Sequence, residues 1–298
     1  MRKKTRLIIA EIGSNHDGNV SLAKQHIREA KKCNADVAKF QLHIAEEETL
    51  KNAPSPSYFK KEDRYSYFNR INFNFKQWKE IKDYCKKIKI EFLCSPFSVK
   101  AVDILEKLNV KYYKVPSGEV TNLTLLKRLK DTKKHIFIST GMSNLSEIEN
   151  AIKIIKSNYT LMQCSSIYPC PNQEVGLNML EVFKKRFNCK LGFSDHTVGS
   201  SAAYAFASNG ADVIEKHFAL SNKLYGSDAK HSMLPRQFKI YCNTIKDIWK
   251  ITGSKINKND LTKYKNMKII FEKSIVAKNK IYENQVIRFN DIDFKKPG

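Results

Sequence analysis

The stretch IEFLCSPFSVKAVDILEKLNVKYYKVPSGE (residues 90–119) decides the fold. A strand-like run at 91–97 passes into a helical pattern at 99–108 and returns to a strand-like run at 112–116. That is one β-α-β unit, and a parallel pair of strands joined this way needs a crossover helix. Both strands end in chemistry: Ser95 closes the first, and Lys114, Ser117 and Glu119 close the second.

The same alternation extends in both directions. Strand-like runs lie at 7–12, 37–41, 136–140, 160–165, 191–194 and 213–218, each followed by a helical pattern. At 21–33, Leu22, Ala23, His26, Ile27 and Ala30 share one helical face, and at 75–87 Trp78, Ile81 and Cys85 do the same. Asn122 and Asn144 precede helical patterns as cap residues, and Gly210 follows one. Eight such units in about 250 residues predict an α/β protein of the closed (β/α)₈ TIM-barrel type. The domain reading is a catalytic barrel over 1–252, a linker over 253–272 and a partial segment over 273–298. One long interruption, 42–74, carries Tyr58, Phe59, Arg64, Tyr65, Tyr67, Phe68 and Arg70. A long βα loop lies on the catalytic face of a barrel, so it reads as a lid, a partner contact or aromatics packed on the rim.

The 298 residues carry 53 Lys and Arg against 30 Asp and Glu, a formal charge of +23. Only nine of those cations are Arg, and the Lys are spread as pairs such as Lys31-Lys32 and Lys86-Lys87. That distribution fits solvated helix faces and attraction of a small anion, not a nucleic-acid reader, which leans on Arg. No run approaches the roughly 20 apolar residues that span a bilayer, and the start is too soon polar for a secretory signal. Seven scattered Cys with no C-x-x-C pair give neither a disulfide framework nor a zinc knuckle. A cytoplasmic protein with no membrane partner is expected.

Every strand of the barrel reading contributes a functional group. Glu11, Lys39, Gln41, Ser139, Ser165, Ser166, Tyr168, Ser194, Asp195, His196, Glu215 and His217 join the four residues named above at the strand ends, and Asn15 and His16 follow strand one. Two Lys in equivalent positions suit a ligand carrying phosphate and carboxylate, and His196 and His217, 21 residues apart on adjacent strands, suit Mn²⁺, Fe²⁺ or Zn²⁺ with open positions. His26, His43, His135 and His231 read as structural or surface residues.

These residues stand in motifs that together resemble the sialic acid synthase family: EIGSNHDG (11–18), KFQ (39–41), SPF (95–97), YKVPSGE (113–119), ISTGM (138–142), QCSSIYPCP (163–171), GFSDHTVG (192–199), EKHF (215–218) and GSDAKHSM (226–233). The resemblance spans 5–250 in family order, and residues 273–298 are similar to the opening half of the family's antifreeze-like domain. It implies condensation of phosphoenolpyruvate with an N-acylated amino sugar, N-acetylmannosamine or a 2,4-diacetamido-trideoxyhexose, to a nonulosonic acid and phosphate by C–O cleavage. By position it implies that Lys39, Ser95, Lys114, Ser117, Ser139 and Ser166 hold phosphoenolpyruvate. Gln41, Glu119, Tyr168 and Lys296 would contact the sugar, Lys296 standing where the family has an Arg. His196 and His217 would hold a divalent metal, expected to be Mn²⁺, and Glu11, with Asp228 and Glu215 as runners-up, would activate water. A homodimer is expected. Rival readings are a barrel condensing phosphoenolpyruvate with a phosphorylated aldose, with Arg64 and Arg70 serving the second phosphate, a Schiff-base aldolase using Lys114, and a non-catalytic binding barrel.

Overall fold

Eight parallel strands hydrogen-bond in one sheet whose order runs from the third strand of the chain back to the first and then from the eighth back to the fourth, and the third and fourth, the two ends of that order, pack side by side to close it. This (β/α)₈ barrel comes from a computed structural model that describes residues 6–55, 62–156 and 158–297. In chain order the elements are β1 (Leu7–Gly13), α1 (Val20–Lys32), β2 (Val37–Leu42), α2 (Ala45–Glu48), α3 (Arg64–Ile71), α4 (Phe75–Lys87), β3 (Glu91–Pro96) and α5 (Val99–Lys107). There follow β4 (Tyr112–Val115), α6 (Leu123–Asp131), β5 (His135–Ser139), α7 (Leu145–Ile155), β6 (Tyr159–Cys164), α8 (Met179–Phe187), β7 (Lys190–Asp195), α9 (Ser201–Ser208), β8 (Val213–His217) and α10 (Pro235–Gly253).

The helices begin where side chains cap them. Asn144 and Glu147 form a reciprocal capping box at α7, as Asn74 and Gln77 do at α4, and each pair satisfies two backbone N–H groups left open by the first turn. The interruption at 42–74 is not a bare loop: it holds α2 and α3, and Tyr67, Phe68 and Ile71 are buried against Ala45. Tyr58 and Phe59 lie outside the described residues.

Side chains on a strand alternate between its two faces, so the barrel interior is built in two-residue steps. Ile9, Val37, Leu93, Phe137, Met162 and Val213 form an apolar plug. Two residues further along those strands come Glu11, Lys39, Ser95, Ser139, Cys164 and Glu215, all buried, joined by Lys114 of β4 and Ser194 of β7. The opposite faces of the strands meet the helices across one large hydrophobic cluster that includes Ile8, Ala10, Ala38, Phe40, Tyr113, Ile138 and Phe193. Behind the last two strands sits a buried ion pair: Lys216 Nζ lies 3.0 Å from Asp195 Oδ2 and donates to the carbonyl oxygens of Thr197 and, at 3.2 Å, of Gly199.

A second unit begins at Gly253. The stretch expected as a linker contains α11 (Lys265–Phe271), and beyond it β9 (Ser274–Ala277) and β10 (Ile292–Lys295) pair antiparallel. Among the described residues no helix is long and apolar enough to cross a membrane.

Lys216→Met should lower the unfolding free energy by about 3 kcal/mol, because removing one partner strands a buried charge. The low end of the usual range is expected, since Thr197 and Tyr241 still donate to Asp195 at 2.7 and 3.1 Å. Urea midpoints of the two proteins measure it, and an unchanged midpoint contradicts the assignment.

Candidate active site

The C-terminal strand ends surround a cavity of about 1040 Å³. Its floor is an interlocked set of charges. Lys39 Nζ lies 2.7 Å from Glu11 Oε2 and 3.3 Å from Glu215 Oε1, and Lys114 Nζ approaches the same Glu215 oxygen at 3.5 Å. Lys114 also donates to Ser139 Oγ at 2.7 Å, and Ser194 donates to Glu215 at 3.2 Å. Burial opposes the Lys39 charge, but Glu11 and Glu215 outweigh it and hold the pKa above the usual lysine value. For Lys114 burial dominates and lowers it. Burial likewise opposes the Glu215 charge, yet the two lysines bring its pKa down to about 2, so it is ionised at pH 7.

One step above the floor lie the hydroxyls and rings. Ser117, Ser139 and Ser166 line the cavity beside Lys39 and Lys114. Ser117 Oγ accepts from the Gly141 N–H at 3.0 Å, and a Cβ at Gly141 would stand 2.5 Å from Ser166 Oγ and 2.9 Å from Ser117 Oγ. Gly141 is therefore the residue that lets the two hydroxyls converge. His196 and His217 also line the cavity, with ring centroids 5.5 Å apart. His196 Nδ1 donates to the Ser165 carbonyl at 2.8 Å, which leaves Nε2 as acceptor for the Tyr168 hydroxyl at 2.9 Å. Burial, then His217, lower the His196 pKa to about 3, so the ring is neutral at pH 7. Although 47 % of Tyr168 is exposed, its hydroxyl end lies in the cavity wall, and burial holds its proton well above the usual range.

His217 Nδ1 is buried without a hydrogen-bond partner and faces Asp228 Oδ2 at 3.6 Å. Two imidazoles, one whose Nε2 lone pair is met only by the Tyr168 hydroxyl and one with an orphaned nitrogen beside a carboxylate, fit a divalent cation with further positions open to ligand. Among the described residues no group of three or more His, Cys, Asp or Glu is disposed to hold a metal.

Glu11, Gln41, Glu215 and Asp228 also line the cavity, and Gln41 Nε2 donates to Glu11 Oε1 at 2.7 Å. The Asp228 segment is anchored through Tyr67, whose hydroxyl meets Ser14 Oγ at 3.0 Å and the Ser227 N–H at 3.3 Å. Two expected site residues of the barrel, Ser95 and Glu119, do not line the cavity. Ser95 is fully buried below the cavity, its hydroxyl without a hydrogen-bond partner. Glu119 is turned by a 3₁₀ segment (Ser117–Glu119) toward Asn122, whose Nδ2 donates to it at 2.7 Å, and burial raises its pKa. Lys296 belongs to the second unit, where its ammonium lies 5.1 Å from the Phe271 ring centroid. His16 is away from the cavity, stacked on Phe73 at 4.4 Å. Conversely His43, read from sequence as structural or surface, lines the cavity with Arg64, Phe68 and Phe97. The motif letters KFQ stop two residues short of it.

Residues 26–257 match the model of the NeuB family. The chain is 38% identical to the N,N'-diacetyllegionaminic acid synthase of Campylobacter jejuni over 99% of its own length and 91% of the relative's. It is 31% identical to the human N-acetylneuraminate-9-phosphate synthase over 97% of its length and 82% of the relative's. Its structure superposes on that of the N-acetylneuraminic acid synthetase of Leptospira borgpetersenii, solved with citrate, with a TM-score of 0.76 and 28% identity, covering 88% of this chain and 90% of that one.

The floor predicts an acid-sensitive term in stability. A folded pKa near 2 against an ordinary 4.5 means that the Glu215 contribution is complete above about pH 4.5 and is lost as pH falls toward 2. It amounts to on the order of 3 kcal/mol. The stability difference between wild type and Glu215→Gln should therefore stay flat from pH 7 to 5 and change only below that; denaturant titrations at each pH measure it.

Proposed function

The chain belongs to the NeuB family, and from that premise we propose that it condenses phosphoenolpyruvate with an open-chain N-acylated amino sugar, forming a nonulosonic acid and inorganic phosphate. The observation that supports this most is the floor: two buried ammonium groups with hydroxyls converging beside them, in a cavity also lined by a pair of imidazoles. In this reading Lys39 and Lys114 bind the phosphate and carboxylate of phosphoenolpyruvate, and Ser117, Ser139 and Ser166 donate to their oxygens. Charge-assisted contacts of this kind are strongest in a site shielded from water.

His196 and His217 would hold a divalent metal, expected to be Mn²⁺, which when bound supplies Lewis-acid polarisation of the sugar aldehyde. C3 of phosphoenolpyruvate then forms the new bond to the aldehyde carbon, water adds at C2, and phosphate departs with its bridging oxygen by C–O cleavage. Glu11, fixed by Lys39 and Gln41, takes the proton from that water, with Asp228 and Glu215 as the alternative carboxylates. Gln41 and Tyr168 serve the sugar. We assign residues 273–298 to an antifreeze-like segment of a homodimer, with Lys296 offered to the sugar.

The acceptor we favour carries no phosphate: N-acetylmannosamine or a 2,4-diacetamido-trideoxyhexose. A second phosphate would call on Arg64 and Arg70, but Arg70 is already committed to Glu62 at 2.6 Å and Asp17 at 2.7 Å.

Phosphate release from phosphoenolpyruvate with Mn²⁺ and a panel of amino sugars tests the proposal; no release with any acceptor defeats it. In the active protein Gly141→Ala should raise the KM for phosphoenolpyruvate by on the order of 10–100-fold while sparing that for the sugar, because it displaces two hydroxyls by about an ångström. His217→Ala should abolish metal-dependent turnover, and full retention removes the metal assignment.

A further inference from the structure

His43 is held as few surface histidines are. Its ring is clamped between Phe68 of α3, at 3.8 Å and 5°, and Phe97 beyond β3, at 3.9 Å and 25°, and it is buried. Both ring nitrogens are engaged at the edges of this stack. Nδ1 lies 2.7 Å from Glu48 Oε1, and Nε2 lies 3.2 Å from Gln41 Oε1. Gln41 Nε2 in turn donates to Glu11 Oε1, whose other oxygen faces Lys39.

The chemistry of this chain leaves little freedom. A carboxylate only accepts, so Gln41 must turn its NH₂ toward Glu11 and its carbonyl toward His43. His43 must then carry a proton on Nε2. On the far side Nδ1 and Glu48 share one proton, and whichever of them holds it, the Nε2–H is preserved. Glu48 is suited to this: Glu46 and Glu47 of the same short helix pair outward with Lys100 at 2.9 and 3.1 Å, while Glu48 turns inward and its second oxygen has no hydrogen-bond partner. Without the His43 donor the buried Gln41 carbonyl would lose its partner, and the amide would be held at one end only, by its own bond to Glu11, free to swing away toward another donor and take that anchor of the carboxylate with it.

We propose that His43, steadied by Glu48 and by the Phe68–Phe97 clamp, is a positioning residue that fixes the Gln41 amide and through it the Glu11 carboxylate. The functional part of this inference rests on the reading of Glu11 as the group that activates water.

His43→Phe tests it, keeping a ring in the stack while removing both nitrogens. The expected result is a kcat lowered about 10–100-fold, the usual cost of losing an outer-shell partner, with the KM for phosphoenolpyruvate within about twofold of wild type. His43→Gln retains a donor for the Gln41 carbonyl and should recover most of that loss. Wild-type kinetics in His43→Phe, or equal impairment in the folded His43→Phe and His43→Gln, overturns the proposal. Should His43→Phe fail to fold, His43→Leu against His43→Gln makes the same comparison. If the wild-type protein releases no phosphate with any acceptor, the condensation reading fails on its own, and crystal structures then decide the positioning claim. Gln41 still within hydrogen-bond distance of Glu11 in the His43 variant refutes it, and a separated pair supports it.

Discussion

Two ammonium groups and two carboxylates lie almost wholly buried above an apolar plug, and the rest of the site is arranged around that fact. A buried ion costs several kcal/mol unless its partner is well placed. Lys39 bridges Glu11 and Glu215, and Glu215 is shared with Lys114, so each charge fixes the position of the next. The resting floor is consequently neutral although the chain as a whole carries +23. The two scales act differently. The long-range field of the surface lysines gathers anions toward the protein and weakens with salt. At the floor an anion must take ammonium groups already shared with carboxylates, which a ligand bearing two anionic groups does better than one bearing a single charge.

Much of this was legible in the sequence because strands write their interior at every second letter. The β-branched and aromatic runs located all eight strands, and the polar residue at the end of each run marked Glu11, Lys39, Lys114, Ser139, His196, Glu215 and His217, all of which reach the cavity. The reading was weakest where the direction of a side chain depends on contacts far away in sequence. Glu119 has the right place in its motif, but a 3₁₀ turn swings it onto Asn122. His16 follows strand one as closely as a site residue would, and aromatic packing against Phe73 draws it off. His43 gave no local signal, since its role depends on Phe68 and Phe97, which no spacing rule connects to it. The stretch 42–74 offered aromatics and charge but no clean period, because its two short helices bury their apolar side against the rim and not in the main core.

The last two strands show how closely the two faces of the wall depend on each other. Asp195 and His196 are neighbours in sequence, as are Lys216 and His217, and in each pair one residue serves the cavity while the other is locked to its counterpart behind the sheet. The imidazoles are thus carried on backbone held from the rear by a buried ion pair, and Tyr241 of α10 adds its hydroxyl to the same rear anchor.

That alternation also ties folding to chemistry through inheritance. A strand that slipped by one residue would exchange its two faces, delivering Lys216 to the cavity and burying His217 among helices. Such a chain would have neither a tolerable core nor a usable site. No intermediate grade of function separates the correct register from the wrong one, so selection acting only on the reaction would also, unseen, discard sequences that hesitate between registers.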